Sequence, residues 1–296
     1  MEGKSNMIKL RYIVVFAIII IMVLLSIQLN TNNINTEYGI SIHNLNGNDA
    51  VLIQNLGTTW IRSDVGSPNW NIIYSCSVKY NFKILGILDY YSVPTGFTLQ
   101  QWNNTVKQDV LQYNHVTAWE IWNEPDLSYS WDGYLTSNPL TYFNLTVSAY
   151  NIIHKYAPSS LIIGFGGYNP PDSNYQINWA NELITLGIAH YTNALSLHLY
   201  QVLSSVTATE IEYKTFITSI KAQTNENLWV SETGTTNQYQ KSYINTIYPM
   251  LISNGITHIF WYDLIQGNSG VNTGLVVNGN LTIGYYDLQS FIRSGN

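Results

Sequence analysis

The chain has 296 residues, 46% apolar and 14% aromatic, with a net charge of −6, enough apolar side chain for a large core. Acidic balance without a basic run beyond the N-terminus excludes an electrostatic nucleic-acid binder, so no nucleic-acid partner is expected. Charged residues are only 10% of the chain, well below the usual quarter, and the single cysteine, Cys76, excludes an internal disulfide and reads as a small buried apolar residue.

The first element is an unbroken apolar run from Ile13 to Leu25 that continues raggedly to Leu29. Lys4, Lys9 and Arg11 precede it, and no acid follows until Glu37. A positive flank before an apolar helix keeps the N-terminus in the cytoplasm and sends the rest across the membrane. Residues 1–29 are therefore expected to form an N-terminal hydrophobic helix, either a signal-anchor or a signal peptide. The run is slightly long for a signal core and slightly short for a span, and no small-x-small cleavage site follows it. Residues 30–37 read as a polar linker and 38–296 as one extracellular domain, membrane-anchored by the helix or secreted after its removal. Three Asn-x-Thr sequons, at Asn103, Asn144 and Asn280, are weak signals in a chain this rich in Asn and Thr.

Beyond the linker, short strand-like runs alternate with longer helical stretches. The strand candidates are 38–42, 58–63, 83–88, 118–123, 161–165, 194–198, 227–231 and 257–261. Runs such as Lys83-Ile84-Leu85-Gly86-Ile87-Leu88 are apolar on both faces, as a parallel sheet requires. Helical candidates lie near 48–56, 66–81, 98–113, 139–156, 174–187, 208–224, 239–254 and 285–293. In the fourth, apolar positions recur at three and four, with Pro139 at its start and Pro158 past its end. Eight such pairs imply an α/β fold, a closed (β/α)8 TIM barrel. The rival, a doubly wound open sheet, usually has fewer units, and no GxGxxG turn follows the first strand.

Barrel enzymes place their chemistry at the C-terminal ends of strands. Two segments end there in a carboxylate: Trp119-Glu120-Ile121-Trp122-Asn123-Glu124-Pro125-Asp126 after strand four, and Leu228-Trp229-Val230-Ser231-Glu232-Thr233-Gly234 after strand seven. Glu124 and Glu232 then face one mouth. Glycosidic cleavage needs such a pair, one acid to protonate the leaving oxygen and one carboxylate to attack or to activate water. A lone glutamate after a strand is more often a helix cap or a solvated loop residue; the two together form a constellation. Alternation along the strand is expected to turn Glu120 away from the neighbours of Glu124. Trp119 and Trp122 are expected to desolvate Glu124 and raise its pKa, as a general acid requires.

These motifs resemble glycoside hydrolase clan A, whose barrels carry the acid/base on strand four and the nucleophile on strand seven. The tryptophan-rich Asn-Glu-Pro segment is most like families thirty-nine and five. The resemblance implies that Glu124 is the acid/base and Glu232 the nucleophile. Arg62, in Thr59-Trp60-Ile61-Arg62-Ser63-Asp64, matches the clan's arginine beside the nucleophile, where a cation favours the charged carboxylate; its bland reading is a rim pair with Asp64. Asn123 matches the asparagine on the sugar 2-hydroxyl. His198 and Tyr200, in Leu195-Ser196-Leu197-His198-Leu199-Tyr200, match a His-x-Tyr on strand six, with Tyr200 bonded to Glu232 and His198 lining the subsite. Trp261, in Ile259-Phe260-Trp261-Tyr262, matches the tryptophan platform under the sugar ring, and Gly274 to Tyr286 resembles the closing hairpin before the last helix.

His43 at the end of strand one, Asp89 at the end of strand three, and Trp131 with Tyr134 in the loop after strand four are further candidate sugar contacts. The bland alternatives are core packing for Trp261 and His198 and local packing for the loop aromatics. No His/Cys/Asp cluster has metal spacing, and no cofactor is called for. The expected activity is a retaining glycoside hydrolase cleaving a β-linked oligo- or polysaccharide of glucan, mannan or xylan type by double displacement. The alternatives are a carbohydrate-binding surface protein with little turnover and a transglycosidase. The expected partners are a carbohydrate substrate and, through the N-terminal helix, the membrane.

Overall fold

The computed structural model describes residues 36–127, 137–171, 173–200, 205–267 and 272–295. The expected N-terminal helix and Trp131 and Tyr134 lie outside them. Among the described residues no helix is long and apolar enough to cross a membrane.

Eight strands form a closed barrel in sequence order: β1 (Glu37–Ser41), β2 (Trp60–Asp64), β3 (Lys83–Leu88), β4 (Val116–Ile121), β5 (Leu161–Tyr168), β6 (Ala194–Leu199), β7 (Leu228–Thr233) and β8 (Ile256–Tyr262). All pairs are parallel, and β1 closes the ring on β8 with Ile40 opposite Trp261. The helices between and after them are α1 (Gly47–Leu56), α2 (Trp70–Tyr80), α3 (Leu99–Gln112), α4 (Pro139–Tyr156), α5 (Asn174–Thr185), α6 (Val206–Thr224), α7 (Gln240–Ser253) and α8 (Ile283–Arg293). The (β/α)8 expectation holds for the described residues, with element ends shifted by a few positions.

Local chemistry explains the boundaries. Asn46 and Thr98 each close a capping box, with Asp49 and Gln101 reaching back to the cap. Asn138 caps α4 ahead of Pro139, and Ser173, Ser205 and Thr282 cap α5, α6 and α8. Helix α1 stops at Gly57, at φ 90°, where glycine carries no penalty. The ring of helices closes on itself: Tyr285 of α8 donates to the Leu52 carbonyl and Gln289 to that of Asn55, both on α1. The short hairpin Val276–Val277 and Asn280–Leu281 precedes α8. Of the sequons, Asn103 is half-buried in α3, Asn144 is exposed on α4 and Asn280 is exposed in the hairpin.

The core has two layers. Trp60, Leu85, Ala118, Ile163, Ala194, Trp229 and Phe260 fill the lower barrel interior. A larger layer between strands and helices includes Trp70, Trp102, Trp122, Trp179 and Trp261. The inner layer fixes which strand positions point inward, since side chains alternate along a strand. Two residues beyond Trp60 is Arg62, and two beyond Ala118 is Glu120. Filling the lower half with rings and branched chains leaves the upper half for polar groups, so the site rests on a packed floor.

Candidate active site at the mouth of the barrel

Arg62 is only 2% exposed, and its whole guanidinium is occupied. Nε donates to Glu120, Nη1 to Glu232 and Nη2 to Asn123 Oδ1 at 2.9 Å, with His198 Nε2 at 3.4 Å. Burial alone would lower its pKa, but the charges of Glu120 and Glu232 outweigh that and hold it above the ordinary value. Glu120 therefore belongs to the site, contrary to expectation. Positions 120 and 124 are four apart, so alternation itself gives them one face. Inward parity is set by Ala118 and Glu120 follows it; the chain leaves strand geometry only after Ile121, where Trp122 and Glu124 sit at φ 70° and 49°.

The same turn delivers Glu124. Its backbone N–H donates to the Gly166 carbonyl at 2.6 Å. Across from it β5 runs through Phe165, Gly166 and Gly167 at φ 69°, 58° and 85°. A Cβ on Gly166 would lie 2.7 Å from the Trp122 carbonyl oxygen, and one on Gly167 only 2.1 Å from His198 Nε2. The glycine pair lets the backbone of β5 approach both the Asn-Glu-Pro turn and the imidazole. Ser196 fixes this bend, accepting from Gly167 N at 2.8 Å and donating to the Gly164 carbonyl at 3.1 Å.

His198 is fully buried between the two carboxylates. Its Nδ1 lies 2.9 Å from Glu124 Oε1 and 3.8 Å from Glu232 Oε2. Burial pushes the imidazole pKa down, but the Glu232 charge and the hydrogen bond and charge of Glu124 outweigh it, so the net shift is upward. For Glu124 burial pushes upward, while His198 and the Asn169 amide, 3.3 Å from Oε1, bring the net shift below the usual carboxylate value. The expected raised acid is thus not found. Trp119 and Trp122 cannot supply it, because both face the helices: Trp119 packs near Gly86, and Trp122 against Phe97 and Trp102.

Glu232 is 8% exposed. Besides Arg62 it accepts from the Tyr200 hydroxyl. Burial and the Glu232 charge push the Tyr200 pKa well up, so the phenol stays a neutral donor. Tyr262 stands edge-on to Tyr200 at 5.7 Å, and His43 Nε2 is 2.9 Å from the Tyr262 hydroxyl. His43 Nδ1 is 3.5 Å from Asp64, so the rim partner of Asp64 is this histidine rather than Arg62. The hydrogen bond that His43 donates to Asp64 is the largest influence on the His43 pKa and raises it against burial.

The structure thus brings together Glu124, Glu232, Arg62, Asn123, His198 and Tyr200, with His43 at the rim. Two expected contacts are elsewhere. Trp261 lies between inward Phe260 and inward Tyr262, so it faces outward: it is fully buried, packs against Tyr243 and Tyr248, and donates Nε1 to the Thr273 carbonyl at 2.9 Å. The aromatic at the mouth is Tyr262, one residue later, because β8 runs one residue past its expected end. Asp89 is fully buried and accepts from Tyr91 N at 2.9 Å, closing the turn after β3, and its carboxyl is hydrogen-bonded with Asp64. Sequence reasoning missed Glu120, Asn169, Tyr262 and the glycine pair; the Gly164-Phe165-Gly166-Gly167 cluster inside a strand run was the available signal for the last.

No protein-family model matches the chain, and no curated protein matches it. Solved structures do. A calcium-binding-site mutant of Bacteroides uniformis β-glucuronidase 2 superposes with a TM-score of 0.66 at 18% identity, over 86% of this chain and 34% of that one. A glucosidase from Croceicoccus marinus gives 0.70 at 11% identity, over 88% of this chain and 68% of that one. The endo-β-1,4-mannanase of Thermotoga petrophila gives 0.62 at 9% identity, over 88% and 76%. The chain spans about a third of the β-glucuronidase's length. At these identities the likeness is one of fold: the protein shares the barrel of these glycosidases and glycanases.

The packing at Gly167 yields a prediction. Gly167→Ala adds a Cβ into the imidazole and strains a left-handed residue, so it is expected to cost at least about 1–3 kcal/mol, read from the denaturant midpoint. An unchanged midpoint would contradict the contact.

Proposed function

We propose that the protein is a retaining glycoside hydrolase acting on a β-linked oligo- or polysaccharide, with Glu232 as nucleophile and Glu124 as acid/base. The observation that carries this is the single His198 nitrogen within reach of both carboxylates. Inverting enzymes hold their carboxyls roughly 6.5–9.5 Å apart to admit a water, and retaining ones about 5–5.5 Å. Two legs of 2.9 and 3.8 Å keep those two oxygens within about 6.7 Å, just inside the inverting range were the legs straight, and any bend at the nitrogen shortens the gap toward the retaining spacing. The named activities of the structural neighbours, on β-glucuronides, glucosides and β-1,4-mannan, agree with this class of substrate.

In the first step the Glu232 carboxylate attacks the anomeric carbon, the glycosidic C–O bond breaks, and Glu124 gives its proton to the departing oxygen. In the second, Glu124 takes a proton from water, whose oxygen attacks the same carbon and frees Glu232. Arg62 and Tyr200 aim the nucleophile through two donors. Asn123 commits Oδ1 to Arg62, which leaves its amide nitrogen to donate to a sugar hydroxyl. Tyr262 takes the platform role first assigned to Trp261. Glu124 gains its acid form from the proton on His198 Nδ1, 2.9 Å away, when sugar displaces water from the half-buried carboxyl. Residues 1–29, basic then apolar, support an extracellular site of action, anchored or secreted, which suits a polymer that cannot enter the cell.

Reducing-end release from β-glucans, mannans and xylans tests the proposal. The full chain should hydrolyse at least one, and Glu232→Gln should lose on the order of a thousandfold or more. A parent that binds a polysaccharide but releases no more than the variant would be a binding protein instead.

The His198–Glu124 pair sets a second expectation. The pair must hold one proton for the first step. With the His198 pKa above its ordinary 6.5, activity is present below that raised value and is lost as pH rises through it. In His198→Asn the proton can sit only on Glu124, so the alkaline limb of kcat/KM should move to lower pH. A limb that stays in place would show that His198 does not supply the proton.

A further inference from the structure

A cavity of about 330 Å³ opens at the barrel mouth between the segments that follow β1 and β8. Its wall includes His43, Asn44, Asn46, Asp263, Leu264 and Ile265. That volume lies at the lower end of sites that hold small organic ligands. We propose that this cavity binds the second sugar of the retained side of the substrate, a neutral hexose or pentose residue, so that the enzyme works on chains of two or more sugars from that end. The inference rests on the hydrolase reading above.

Position gives the first argument. Glu124 follows β4, four strands from β8 in an eight-stranded ring, and so marks the opposite wall of the mouth. The leaving group must extend toward the acid that protonates it. The retained sugar sits on Glu232 of β7, and its continuation runs away from Glu124, toward β8 and β1. A relay of side chains joins the two places: the Tyr200 hydroxyl donates to Glu232, Tyr262 stands against Tyr200, and His43 is hydrogen-bonded to Tyr262 and lines the cavity. Two side chains, Tyr200 and Tyr262, therefore stand between Glu232 and the wall of the cavity.

Wall chemistry gives the second. Asp263 is 4% exposed, yet its Oδ1 finds no hydrogen-bond partner among the described residues. A buried carboxyl oxygen without a donor is costly, and a sugar hydroxyl is a donor of the right size. Burial also pushes the Asp263 pKa up to about 6, which a hydroxyl donor would relieve. Asn46 spends Oδ1 on capping α1, which leaves its amide nitrogen to donate. Leu264 and the exposed Ile265 offer an apolar surface for the C–H face of a sugar ring. The sign of the wall selects the sugar: Asp263 and Asp49 line it, and His43, the one basic side chain among the described lining residues, is paired with Asp64. A uronate or sulfated sugar would meet like charge there.

The test compares 4-nitrophenyl β-glycosides of glucose, mannose and xylose with those of the corresponding β-1,4-linked disaccharides, the leaving group being the same. For the sugar that is cleaved, kcat/KM should be at least about tenfold higher for the disaccharide, the return on a hydrogen bond to a carboxyl group and a covered ring face. Asp263→Asn and, separately, Ile265→Trp, which fills the cavity from an exposed position, should each pull that ratio toward one, chiefly through KM of the disaccharide. Equal rates on both parent substrates would overturn the subsite and leave the hydrolase reading standing. A preference that survives both variants would place the second sugar elsewhere and also overturn the assignment. Release from no glycoside, with the fold intact, would overturn the hydrolase reading and the subsite with it.

Discussion

Arg62 is a guanidinium with almost no water to solvate it. Moving such a cation into a barrel is costly, and only tight pairing offsets the cost. Here the pairing is complete: Glu120 holds Nε from below, Glu232 takes Nη1, and Asn123 takes Nη2. Breaking a buried pair by removing one partner typically costs about 3–5 kcal/mol, because a bare charge is left behind. That penalty holds Glu232 and Asn123 to one geometry. Glu120 never needs to touch a sugar to matter; it makes the arginine a fixed point from which the other groups are aimed.

The other carboxylate is positioned by backbone rather than by charge. Left-handed residues at Trp122 and Glu124 turn the chain sharply after β4, and three more on β5 bring a glycine backbone up against that turn. Strained conformations of this kind persist when the surroundings over-determine them. The hydrogen bond from Glu124 N to the Gly166 carbonyl, the Ser196 bonds and the imidazole packed on Gly167 do so here. His198 then joins the two halves, one set by an ion cluster and the other by a bent strand. His198 lowers the Glu124 pKa while Glu124 and Glu232 raise that of His198, so the shifts favour the ion pair between them.

Much of this was legible in the sequence. Continuous apolar runs marked the parallel strands, Pro and cap residues marked the helices, and the carboxylates closing runs four and seven pointed to one mouth. Arg62, Asn123, His198 and Tyr200 were legible through short motifs whose neighbours fix them at strand ends. What failed did so at the strand ends. Glu120 shares the inward parity of Ala118, so alternation places it in the site rather than away from it. Ending β8 one residue early put Trp261 in place of Tyr262 at the mouth. Asp89 is a strand-end carboxylate too, but it is fully buried and ties the turn after β3 to Asp64. Asn169 sits beyond a strand bend that no local propensity announces, and only the fold brings it to Glu124.

The central claim is that Glu232 forms a covalent bond to the sugar. An aryl 2-deoxy-2-fluoro-β-glycoside of the sugar that is cleaved slows breakdown of the glycosyl ester more than its formation, so the intermediate should accumulate. Mass spectrometry of the intact chain and then of its peptides reads the result. One added fluorosugar per chain, carried by Glu232 in the peptide with Trp229-Val230-Ser231, is the predicted outcome. A label on any other residue, or turnover of the parent glycoside with inverted anomeric configuration and no label at all, would contradict the account.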